Sequence, residues 1–182
     1  MKKIVFVVIM LILGTVAKAQ VNSSASQTIN LNLSNAIEIS FTATGTTSGD
    51  AVNMAFITVD NYANGVESDP QELKVRSNKN FTVTIKSNST NFTYTGTTTP
   101  APTMPVSGVL GLMVISNSTG GSVASPFSFI SYSGITSSNQ NLITNGSRGG
   151  NQLFSVQYQA TPGFQYPAGN YAVDVVYTAT QN

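Results

Sequence analysis

Glu67, Asp69 and Glu72 are the only acidic cluster in the chain. With no histidine and no cysteine anywhere, a carboxylate pair is the main remaining route to catalysis. A Ser-His-Asp triad cannot be assembled, a thiolate nucleophile is absent, and the usual zinc ligands are missing. Two-carboxylate catalysis needs a cleft that holds both acids at a set separation. The three acids here fall in one Asn-, Gly- and Pro-containing stretch that reads as a solvated loop. Gly120-Gly121-Ser122-Val123-Ala124 half resembles a nucleophile elbow but ends in Ala within a Gly/Ser-rich run, and it reads as a linker. Asp60-Asn61-Tyr62-Ala63-Asn64-Gly65 has the outline of a calcium loop. Tyr62 occupies a ligand position and Gln71 stands where the bidentate Glu belongs, so Asp60, Glu67 and Asp69 are weak calcium candidates only. The chain is therefore expected to be no enzyme and to need no cofactor.

Aromatic side chains are the other group able to bind something. Tyr62, Phe92, Tyr94, Tyr132, Phe164 and Tyr166 fall at or near expected loops. Clustered, they could stack on sugar rings; singly, they would close the ends of a core. The basic residues Lys74, Arg76 and Lys86 alternate with apolar ones and belong to a wet strand face.

The elements that must position these residues are strands. Ile29, Leu31 and Leu33 alternate with Asn30 and Asn32, and Ile37, Ile39 and Phe41 with Glu38 and Ser40, so two short strands are expected to meet at Ser34-Asn35. Val52, Met54 and Phe56 predict a third strand, and 60–71 an exposed loop. Leu73 and Val75, then Phe81, Val83 and Ile85, read as a hairpin closed by Asn78-Lys79-Asn80. Val106 to Ile115 is apolar on both faces and reads as a covered central strand. Phe127 to Tyr132 suggests a short strand and 134–151 a long polar loop. Phe154, Val156 and Tyr158, then Tyr171, Val173, Val175 and Tyr177, alternate about a connector containing Pro162-Gly163 and Pro167-Ala168-Gly169-Asn170. Roughly eight to ten short strands with no long helix predict an all-β, antiparallel two-sheet sandwich of immunoglobulin-like, Greek-key type, with a partly closed barrel as the alternative.

Met1-Lys2-Lys3, the apolar run to Val16 and Ala17-Lys18-Ala19 form a secretory signal peptide pattern, with cleavage expected between Ala19 and Gln20. That run is shorter than the ~20 residues needed to span a bilayer, and no later run is long enough. Residues 20–182 are expected to form one domain, secreted to the periplasm, outer surface or extracellular space, without a membrane span. Five basic residues then face seven acidic ones, a net charge of −2, and such a chain has no footprint for nucleic acid. Stability must come from sheet pairing and burial, because no disulfide can form.

The stretch Pro162-Gly163-Phe164, then Tyr166-Pro167-Ala168-Gly169-Asn170-Tyr171 and an alternating strand to Thr180, resembles the closing hairpin of spore-coat-protein-U and Csu-type pilins and of WxL-type surface domains. This chain differs from those groups in having no Cys and no Trp. The resemblance implies a β-sandwich and self-association by strand addition, for which Ile29, Leu31 and Leu33 have the required alternation. The same residues also suit the first strand of a self-complete domain. Two functions follow as expectations: a non-enzymatic structural or adhesive cell-surface protein of the pilus-like kind, or a monomeric module binding surface glycan or cell wall. The exported protein should begin at Gln20, and its intact mass should equal that of residues 20–182; a mass including residues 1–19 would overturn the export reading.

Overall fold

The computed structural model describes residues 21–182, so the expected signal peptide and its cleavage point lie outside the described residues. The chain divides into two units after Leu33. Residues 21–33 carry no helix or strand, and every strand belongs to Ser34–Asn182.

Twelve strands, numbered in chain order, pair only antiparallel. One sheet runs β1 (Ile37–Phe41), β3 (Gln71–Ser77), β10 (Gly149–Ala160), β6 (Leu110–Asn117), β8 (Ser133–Gly134), with β2 (Val66–Glu67) on the end of β10. The other runs β12 (Val175–Gln181), β4 (Phe81–Ser87), β9 (Gln140–Gly146), β7 (Ser122–Val123). A small ribbon joins β11 (Asn170–Ala172) to β5 (Thr93–Thr95), and among the described residues one helix, α1 (Val59–Asn64), is six residues long. This is the expected all-β sandwich, and no sheet closes into a barrel.

Alternation decides which side chains fill the space between the sheets. Leu73 and Val75 of β3, Leu112 and Val114 of β6 and Phe154 and Val156 of β10 meet Phe81, Val83 and Ile85 of β4 and Leu142 and Ile143 of β9, each at most 1% exposed. Burying one such side chain is worth about 1.5–3 kcal/mol. Two of these strands end by the same device. The Ser77 hydroxyl donates to the Lys79 carbonyl and the Ser87 hydroxyl to the Ser89 carbonyl, each at 2.7 Å, folding the chain out of the ladder. Among the described residues no buried side-chain polar atom lacks a partner.

Several local expectations are corrected. Ser77 to Phe81 is no hairpin turn: β3 and β4 lie in different sheets, with β1 and β10 beside the first and β12 and β9 beside the second. The same is true of β10 and β12, so the C-terminal strands do not form a hairpin. Residues 52–56 and 127–132 form no strand, and the covered strand starts at Leu110 because Val106–Val109 is a turn, Val109 N–H donating to Val106 O at 3.1 Å. The expected loop at 60–71 contains α1 and β2, and the one at 134–151 contains β9.

Gly146 of β9 tests how tightly Phe81 of the neighbouring strand β4 is packed. An added Cβ there would stand 2.6 Å from the ring of fully buried Phe81, whereas one at Gly150 would meet nothing within 4 Å. Gly146→Ala should lower the unfolding free energy in urea by about 1–3 kcal/mol. Gly150→Ala should stay within about 0.5 kcal/mol of the parent; equal stability of the two variants would contradict this packing.

Candidate assembly site

Each sheet has two edges, and they are unequal. β8 and β7 are two residues long, the short edges that resist further pairing. β1 and β12 are five and seven residues long, and they run beside each other on the same flank of the sandwich. β12 reads Val-Val-Tyr-Thr-Ala-Thr-Gln, without charge or proline to deter another strand.

Hydrogen-bond parity shows which backbone groups these edges leave facing outward. On β1, Asn78 N–H donates to Ala36 O at 3.1 Å and Thr42 N–H to Glu72 O at 2.9 Å. Even-numbered residues therefore face β3, and Ile37 and Ile39 turn their N–H and C=O groups to the open side. Phe41 does the same but is satisfied locally, donating to Thr46 O at 2.8 Å and accepting from Gly45 N–H at 2.9 Å. On β12, Asn88 N–H donates to Asp174 O and Asn182 N–H to Asn80 O, both at 2.9 Å. Val175, Tyr177 and Ala179 are thus the outward-facing residues there.

Between the two edges lies a groove of about 160 Å³ lined by Ile39, Phe41, Leu73, Val175 and Tyr177 among others. Ile39, Phe41, Val175, Tyr177 and Ala179 pack on the core but stay half-buried, in contrast to their fully covered neighbours on β3 and β4. Phe41 and Tyr177 meet edge to face with ring centroids 6.0 Å apart. The hydroxyl of Tyr177, a groove residue, lies 2.6 Å from that of Tyr158. Burial pushes Tyr158 up to about 12, the bond to Tyr177 opposing the rise. Burial, with Tyr158 beside it, holds Tyr177 well above the ordinary tyrosine range.

An amide cluster fixes the start of β1. Asn78 Nδ2 donates to Ser34 O at 2.7 Å while its Oδ1 accepts from Ala36 N–H at 2.9 Å and from Gln181 Nε2 at 2.9 Å. Gln181 Nε2 also reaches Ala36 O at 2.9 Å and Ser77 Oγ at 3.1 Å, tying the end of β12 to β1 and β3. Sequence reasoning missed this cluster, since an Asn between two alternating runs reads first as a turn residue. Beside the β1–β3 ladder, Glu38 and Arg76 form an exposed ion pair, a surface interaction of small weight.

The assembly candidates Ile29, Leu31 and Leu33 are 78%, 81% and 89% exposed and belong to no strand. Of the two strands expected to meet at Ser34-Asn35, the second forms as β1 and 27–33 forms none, since alternation selects a face but supplies no ladder partner. The calcium candidates Asp60, Glu67 and Asp69 are spread over separate elements. Asp60 lies in the first turn of α1, whose Thr58–Asn61 capping box uses the Asn61 side chain, and Glu67 is on β2. Among the described residues no group of three or more His, Cys, Asp and Glu could hold a metal.

Four of the six candidate aromatics come together. Tyr62 stacks on Phe164 at 5.6 Å and 24°, and Tyr171, which sequence reasoning left in the core, links Tyr94 at 5.0 Å and Tyr166 at 6.4 Å. Tyr132 stands apart, donating to Gln157 Oε1 at 3.0 Å, and burial with the Glu67 carboxylate beside it pushes it up to about 12. Phe92 packs on the core.

The buried tyrosine pair makes stability depend on alkaline pH. Below about pH 10 both hydroxyls are protonated whether the chain is folded or not. Above it the unfolded tyrosines ionise while the folded ones hold their protons, so stability is lost as pH rises towards about 12. Tyr158 alone should account for up to about 3 kcal/mol of that loss. Thermal melts should fall across this window, and Tyr158→Phe should flatten the decline; identical slopes would exclude the pair as its source. Neither the protein-family models nor the curated proteins contain a match to this chain, and the site is read from its own geometry.

Proposed function

We propose that the protein is a secreted, non-enzymatic structural subunit of a cell-surface fibre, in which residues 27–33 of one copy add as a strand to the β1–β12 flank of the next. One observation carries this reading. Ile29, Leu31 and Leu33 alternate along a segment without a strand partner, in a chain whose longest uncovered edge is flanked by half-buried apolar side chains.

The physical case is complementarity of need. An extended segment lacks ladder partners for its amides, and the edge presents amides of its own at Ile37, Ile39, Val175, Tyr177 and Ala179. Strand addition satisfies both sets, and alternate side chains seat in the gap between the sheets. Successive inward side chains of a strand lie about 6.6–6.8 Å apart, so Ile29, Leu31 and Leu33 span the length of a five-residue edge. Pairing within one chain is disfavoured by the Asn78 clamp, which holds Ser34 and Ala36 in the extended line that continues into β1. The uncharged hydroxyl- and amide-rich faces, with charged residues at only 8% of the chain, suit a surface protein.

Surface-extracted protein run in SDS without boiling should give a ladder that collapses to monomer on heating. Leu31→Asp in the full chain should lose the ladder, as should deletion of residues 20–33. A synthetic peptide of residues 21–33 added to the deletion variant should raise its melting temperature. A ladder that survives the deletion would overturn the proposal, as would monomer alone from the parent chain.

A further inference from the structure

The connector between β10 and β12 carries an aromatic group that strand addition does not use. Phe56 and Tyr62 are 5.5 Å apart, Tyr62 stacks on Phe164, and Tyr171 joins Tyr94 and Tyr166. Burial raises the Tyr171 hydroxyl, with Tyr94, Tyr166 and Tyr62 all near enough to add to it. Phe164 and Tyr166 stand two residues apart on the connector, so both sets of rings reach it.

The rings divide into support and platform. Tyr94 donates to Ala168 O at 3.2 Å and Tyr171 to Pro167 O at 2.8 Å, and the connector backbone lies so close on Tyr94 that a Cβ at Gly169 would meet its ring at 2.2 Å. These two tyrosines hold the connector from below. Phe164 is different: Tyr62 covers one face, and the residue is still 65% exposed. A ring serving only to close the core would be covered, since that burial is worth about 1.5–3 kcal/mol. Among the described residues the Tyr62 and Tyr166 hydroxyls take part in no hydrogen bond to protein, unlike those of Tyr94, Tyr132, Tyr158, Tyr171 and Tyr177.

The presentation is rigid. Pro162 and Pro167 fix φ, Gly163 takes φ +63°, and the Thr58–Asn61 capping box sets the turn that carries Tyr62. Residues 56–64, 93–98 and 161–172 contain one charged side chain, Asp60, and no cation. An open aromatic face beside free phenolic hydroxyls, without positive charge, matches the apolar C–H face and the hydroxyl rim of a pyranose ring. We infer that Phe164, with Tyr62 and Tyr166, forms a binding site for a neutral polysaccharide, separate from the assembly edge.

The full-length chain should be run in native gels containing hydroxyethyl cellulose, galactomannan or laminarin, with carboxymethyl cellulose as the anionic comparison. The expected result is retardation by at least one neutral polymer and none by the anionic one. Phe164→Ala should weaken retardation by about tenfold or more, as for a central aromatic anchor. Tyr166→Phe, which keeps the ring and removes the hydroxyl, should weaken it roughly threefold to tenfold. Tyrosine fluorescence, undisturbed because the chain has no Trp, should change on titration with the retarding glycan. Unaltered mobility in every neutral gel would overturn the proposal, as would retardation that Phe164→Ala retains or a preference for the anionic polymer or for phospholipid vesicles. Phe164→Ala should keep the parent melting temperature and the heat-labile ladder, so a failed glycan site and a failed fibre are told apart.

Discussion

Strand β10 is the constraint on which the rest of the domain depends. Its twelve residues pair with β3 and then β2 along one side and with β6 along the other, and Phe154, Val156 and Tyr158 of the same strand fill the core. A strand occupied on both edges and buried on one face cannot shift register by one residue without turning its apolar set to solvent. Every other element of the first sheet takes its place from it. Where the neighbouring ladders lose step, at Gly149–Gln152 against β3 and at Ser155–Val156 against β6, the irregularity bends the sheet without ending the strand.

This central certainty makes the flank more telling. The chain has no disulfide and little charge, so cohesion is left to ladders and burial, and both are incomplete at β1 and β12. The opposite edges are reduced to two residues each. A protein protecting all its edges alike would shorten or charge these as well. The contrast within one molecule is between two edges of five and seven residues and two of only two.

What the sequence made legible follows from what alternation encodes. A period of two assigns side chains to faces, and Phe81, Val83 and Ile85 are buried as their spacing requires. It does not name the neighbouring strand. Asn78-Lys79-Asn80 therefore read as a hairpin turn although the chain crosses there between sheets. β9 escaped notice because Leu142 and Ile143 are adjacent and both buried, a consequence of the register shifts opposite Val83 that put two successive residues inward. Ile29, Leu31 and Leu33 carry the same pattern with or without a partner, so only the backbone could show that 27–33 forms no strand. Four of the six rings in the aromatic group were visible as loop residues; Tyr171 was not, because alternation assigned it to the same inward set as Val173 and Val175.

The placement of the aromatic connector has a topological cause. β10 belongs to one sheet and β12 to the other, so the chain between them must cross a core about 10 Å thick and cannot do so as a continuing ladder. Pro162-Gly163 and Pro167-Ala168-Gly169 end one strand and deliver the next, and the β11–β5 ribbon props the crossing with Tyr171 opposite Tyr94. A crossing loop propped in this way is stiff, exposed and independent of the edge register. Changes at Phe164 can therefore alter what the surface touches without disturbing the pairing of β12 with β4. That independence lets one small domain keep the β12–β4 ladder fixed while its exposed loop varies.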